Sequence, residues 1–128
     1  MIRIYMTNYP SVDLSYVYDL SDNDNQYVCD IISIFLATIP DKILEFEKQV
    51  NELQNYKMIA EQAHALKSSS SVIKIRDMHS DLIKIESLAK TNTGIAEIQG
   101  YLSNILKNFE DAVPCLNEVL EQNKTQNG

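Results

Sequence analysis

The chain has 128 residues, 45% of them hydrophobic, and only three glycines and three prolines. This suits one domain with a real core and long helices, and argues against a turn-rich sandwich or barrel. The formal net charge of −7 argues against a nucleic-acid partner, because a phosphate backbone asks for a basic surface.

Residues 1–10, "MIRIYMTNYP", read as a loose N-terminal segment. "SVDLSYVYDL" predicts a short helix with Ser11 or Asp13 as its cap, and "SDNDN" a loop or a second cap. In the next segment Val28, Ile31, Ile32, Phe35, Leu36 and Ile39 recur at three and four, the helical period. Pro40 is expected to end or kink that helix and to open another, with Ile43, Leu44, Phe46, Val50 and Leu53 as its apolar side. A third amphipathic segment runs to Lys74 and carries Ile59, Ala63, Leu66, Ser70 and Ile73 on one stripe. A turn near Ile75–Arg76 leads to a fourth, with Met78, Leu82, Ile85 and Ala89 inward and Leu88 beside them. After "TNTG" a long helix carries Ile95, Ile98, Leu102, Ile105, Phe109, Ala112, Leu116 and Leu120, with Pro114 bending it or opening one hydrogen bond. Residues 123–128 read as a disordered tail. The fold class expected is all-α, an antiparallel four-helix bundle with an additional N-terminal helix.

Cys29 and Cys115 fall among apolar residues and read as buried free thiols. The sequence has neither a run of 18 apolar residues nor a basic region followed by an apolar stretch at its start, so a cytoplasmic protein without a membrane contact is expected.

The stretch "AEQAHALKSSSSVIK" carries the candidate chemistry. At about 100° per residue, Lys57, Ala60, Glu61, Lys67, Ser68, Ser71 and Lys74 share the face of His64, while Leu66 points the opposite way. His64 is therefore outward. Small neighbours at Ser68 and Ser71 leave its imidazole accessible. Lys67, three residues on, reaches the same spot and suits an imidazole that is to carry an anion. Glu86 lies as far beyond the expected turn as His64 lies before it, which puts the two at one height in an antiparallel hairpin. A carboxylate there fixes one ring nitrogen and leaves the other free to attack. The same face also reads, more plainly, as solvated lysines and a solvent-facing glutamate.

"EQAH" is also half of a di-iron motif of the Glu-x-x-His kind. The second half is missing: the only other histidine, His79, has Arg76 three residues before it. No metal site is expected, and His79 reads as a surface residue near a helix start with no assigned task. There is no glycine-rich phosphate loop, so phosphate is not drawn from ATP by this chain.

"HALKSSSS" resembles the signature of histidine phosphotransfer (HPt) domains, His-x-Leu-Lys-Gly or Ser followed by small residues. "VDLSYVYDL", "IFLATIPDKILEFEKQV" and "LIKIESLAK" are similar to the family's entry segment, its apolar helix and the helix after the histidine. Lys74 stands where the family often has a second glycine. The resemblance implies a free-standing HPt-like domain over 11–122. It implies that His64 accepts and donates the phosphoryl group, Lys67 stabilises it, Ser68 and Ser71 admit the partner, and Glu86 orients the ring. It further implies a carrier rather than a turnover enzyme. The chain is then a cytoplasmic monomer without a cofactor, any Mg²⁺ sitting in the partner. The partners implied are receiver domains of response regulators and hybrid sensor kinases. The alternative is a helical module that binds receivers or kinases without being phosphorylated.

Overall fold

A computed structural model describes residues 11–127, with side chains described as far as residue 123; the segment 1–10 lies outside the described residues. In chain order the elements are β1 (Val12–Asp13), α1 (Ser15–Leu20), α2 (Asn25–Lys48), a π-helical turn (Gln49–Leu53), α3 (Tyr56–Ser70), β2 (Lys74–Ile75), α4 (Met78–Lys90) and α5 (Ile95–Asn127). The structure is 81% helical, so the expected all-α helical bundle stands. Successive long helices run antiparallel: Ser70 near the end of α3 meets His79 near the start of α4, and Asp81 early in α4 meets Asn104 in α5.

The core follows the helical period. Val28, Ile32, Phe35, Ile39, Ile43 and Phe46 line α2, with Val50 beyond them in the π turn. Ile59, Ala63 and Leu66 come from α3, Met78, Leu82, Ile85 and Ala89 from α4. Ile98, Leu102, Ile105, Ala112, Leu116 and Val119 complete it from α5. Each large side chain removed from water contributes about 1.5–3 kcal/mol, enough in sum to fix which face of each helix turns inward.

Several features differ from the sequence expectation. Pro40 neither ends nor restarts a helix; α2 runs through it. Buried Ile39 and Ile43 flank it on one stripe, and breaking the helix would misalign every apolar residue beyond. An interior proline costs about 3 kcal/mol, less than that loss. Leu44 and Leu53, expected to face inward, are exposed, because one continuous helix and its π turn leave no room for a second apolar phase. The third helix stops at Ser70 instead of Lys74. Ser70 Oγ donates to the Lys67 carbonyl at 3.0 Å and Ser71 Oγ to the Ser68 carbonyl at 2.7 Å, so hydroxyls serve the last-turn carbonyls.

Beyond that stop, Lys74–Ile75 pairs antiparallel with Val12–Asp13. This small ladder was not expected, since two residues are too few to show a period. Neither Ser11 nor Asp13 caps α1: the N-cap is Leu14, without a side-chain cap hydrogen bond. Asp13, just ahead of the helix, accepts from the Ser15 amide through its Oδ1 at 2.9 Å, and hydrogen bonding to Ser15 holds its carboxyl below the ordinary value. Ser11 instead accepts from the Arg76 amide through its carbonyl at 3.0 Å and meets Cys115 Sγ through its hydroxyl at 3.6 Å. Cys29 and Cys115 are half-buried rather than buried, and neither is in a disulfide. The last helix passes Pro114 and continues to Asn127, so the segment expected as a disordered tail is helical over 123–127. No helix among the described residues is long and apolar enough to cross a membrane.

Candidate functional site

The site is built on the α3–α4 hairpin. The Asn55 side chain caps α3 by accepting from the Met58 amide at 3.2 Å, which sets the phase of the helix. Burial of Ile59, Ala63, Leu66 and Ser70 then turns His64 outward. Its side chain is 70% exposed. Between Ser70 and Met78 the chain reverses, and α4 returns with Leu82, Ile85 and Ala89 packed inward. The same inward phase carries Glu86, whose side chain is only 6% exposed.

Glu86 is the centre of the arrangement. Its Oε2 lies 3.0 Å from His64 Nδ1. Its Oε1 receives the Lys67 ammonium at 2.6 Å, and Oε2 also receives Lys90 at 3.0 Å. Burial of the carboxyl raises its pKa, but the hydrogen bonds from Lys67, Lys90 and His64 outweigh that and hold it at about 2. An ionised Glu86 accepts, so His64 Nδ1 donates, and in the neutral ring Nε2 is the nitrogen that carries the lone pair.

The remaining face is partly as expected. Ser68 and Ser71 are both exposed; Ser68 lies in α3 and Ser71 is the residue just past its end. Lys67, expected to be exposed, is only 26% so, because its stem lies along the hairpin and its head reaches the buried carboxylate. Lys74 does not extend a line of lysines. It has left the helix and sits 5.9 Å from the Tyr16 ring centroid. His79 is exposed in the first turn of α4, and its Nδ1 lies 3.0 Å from Ser70 Oγ.

Sequence reasoning missed Lys90. The signal was available, since Glu86 and Lys90 are four residues apart in an orientation that favours a helical ion pair. For the metal alternative, no group of three or more His, Cys, Asp or Glu residues placed to hold an ion occurs among the described residues. What the arrangement offers chemically is one accessible imidazole nitrogen, oriented from behind by a buried carboxylate and bordered by two ammonium groups.

A family model described as the Hpt domain matches residues 30–122 of the chain. No curated protein matches it, and no solved structure does.

Proposed function

Since the chain belongs to the Hpt domain family, a family of phosphotransfer carriers in two-component signalling, we propose that His64 takes a phosphoryl group from a receiver-domain aspartate and passes it to another. The observation that carries this reading is the exposed ring whose Nδ1 is engaged by buried Glu86, which leaves Nε2 as the nucleophile. In the step proposed, the Nε2 lone pair forms a bond to phosphorus. The P–O bond to the receiver's aspartate breaks, and the aspartate leaves as a carboxylate. Nδ1 keeps its proton throughout, so the ring gains positive charge opposite Glu86, while the Lys67 ammonium offsets the negative charge on the phosphoryl oxygens. Reversal on a second receiver returns His64 to its starting form.

Catalysis of this kind is positioning and charge stabilisation. Ser68 and Ser71 give the receiver room to bring its phosphoryl group in line. Any Mg²⁺ sits among the receiver's own carboxylates, so this chain supplies the acceptor nitrogen and a cation. The acting unit is the domain over 11–122, as a cytoplasmic monomer whose partners are receiver domains of response regulators and hybrid sensor kinases.

Incubation with a phosphorylated receiver domain tests the proposal. The chain should take up acid-labile, base-stable label, and His64→Gln should take up none. Label on the His64→Gln variant, or none on the native chain, overturns it; receiver binding that survives in His64→Ala without any label would point to a docking module. Lys67→Ala should slow transfer by roughly one to two orders of magnitude with the helical circular dichroism unchanged.

A further inference from the structure

Glu86 is held by two lysines, and their circumstances differ. Lys67 is largely covered and lies on α3, one turn from His64. Lys90 is 65% exposed and lies on α4, one turn beyond Glu86. An exposed carboxylate stays ionised at neutral pH without any cation beside it. Glu86 is buried, and a buried carboxylate that loses its partner is strongly destabilised. This matters once His64 carries a phosphoryl group. Lys67 then has a doubly charged anion within reach, and its ammonium can serve either the phosphoryl oxygens or Glu86 at 2.6 Å.

We infer that Lys90 is a positioning residue, the standing counter-ion of Glu86, which lets Lys67 turn to the phosphoryl group without leaving the buried carboxylate unpaired. The inference rests on the phosphotransfer reading above and adds a second cation to it. Charge supports it. Two ammonium groups against one carboxylate leave one net positive charge beside the neutral imidazole. Transfer of the phosphoryl group brings one net negative charge, and the site becomes neutral. Without Lys90 the loaded site would carry a net negative charge around a buried carboxylate. Geometry supports it as well. Lys90 Nζ and His64 Nδ1 meet the same oxygen, Oε2, each at 3.0 Å, whereas Lys67 holds Oε1. Departure of Lys67 therefore vacates one oxygen and leaves the hydrogen bond that orients the ring in place. Lys90 also ends α4, where a cation is favoured by the helix dipole, so it stays near Glu86 without further support.

Two measurements test this. The first needs no phosphate. A carbon NMR titration follows the Glu86 carboxyl in the native chain, in Lys67→Ala, which imitates the departure of Lys67, and in Lys67→Ala/Lys90→Ala. Glu86 should titrate below its ordinary value of 4.5 in the single variant and clearly higher in the double variant, where only the His64 hydrogen bond is left to oppose burial. Equal values in the single and double variants overturn the inference, whether or not the chain is ever phosphorylated. The second uses phosphoramidate as the phosphoryl donor and reads the labelling rate of His64. Lys90→Ala should slow labelling by roughly three- to tenfold, Lys90→Arg should restore it, and Glu86→Gln should make the loss of Lys90 almost without effect. The same loss in the Glu86→Gln background would place Lys90 on the phosphoryl group itself and overturn the role assigned here. Failure of the native chain to be labelled by both phosphoramidate and a phosphorylated receiver, with the titration as expected, would sink the phosphotransfer reading and leave the Glu86–Lys90 pair as a stabilising contact only, which also overturns the role.

Discussion

At the scale of single residues, the decisive contrast is between His64 and Glu86, 70% and 6% exposed yet 3.0 Å apart. An exposed imidazole alone is free to rotate. A buried carboxylate behind it fixes the ring and its tautomer together. The outward face of His64 was legible from the helical period, and its height relative to Glu86 from counting across the turn. The ion pairs that make Glu86 acidic were not, because side-chain reach between helices has no trace in the spacing. They have a pH signature. A carboxyl held at about 2 instead of 4.5 stabilises the folded state fully above 4.5, and that contribution is lost as pH falls through 4.5 toward 2. The stability difference between the native chain and Glu86→Gln, from urea titrations, should thus be constant from pH 7 to about 5 and shrink below it. A difference unchanged down to pH 3 would show that the ion pairs contribute no net stability.

At the scale of elements, α2 shows a local signal overruled. The proline pointed to two helices, whereas buried Ile39 and Ile43 on either side of it lie on one stripe of a single helix. The stripe prevails because every buried side chain beyond Pro40 depends on unbroken phase. That phase is set at the start of the helix, where Asp24 Oδ1 accepts from the Gln26 and Tyr27 amides at 3.0 and 3.4 Å. Asp24→Ala should cost about 1 kcal/mol, visible as a lower urea midpoint with an unchanged slope. A neutral result would mean that the packing of α2 alone holds its first turn. The end of α3 was misread in the opposite direction. The apolar stripe continues to Ile73, which is buried, but serine hydroxyls satisfy the last carbonyls and release the chain three residues earlier. The period fixed the inward residues there and not the conformation that carries them.

For the whole molecule, the contacts that close the bundle are non-local. Val12 pairs with Ile75, the Ser11 hydroxyl meets Cys115, and Asn104 Nδ2 donates to buried Asp81 at 2.7 Å. The first two bind the chain ahead of α1 to the turn after the histidine helix and to α5. The third locks the α4–α5 register and with it the height of Glu86. Asn104→Leu should leave the Asp81 carboxylate without that donor and lower stability by about 1–3 kcal/mol; guanidinium unfolding measures it, and a gain in stability would show that burial of leucine outweighs the lost bond. The amino-acid sequence by itself determined the helical class, the inward stripes, the exposed histidine and the lysine one turn from it, because each follows from a period along a single segment. Only the tertiary structure decided that α2 passes its proline, that two residues of strand fasten the histidine hairpin, and that Lys67, Lys90 and His64 converge on one buried carboxylate. Those outcomes depend on competition between burial, hydrogen bonding and charge among segments distant in the chain, and a period along one segment carries no record of who wins it.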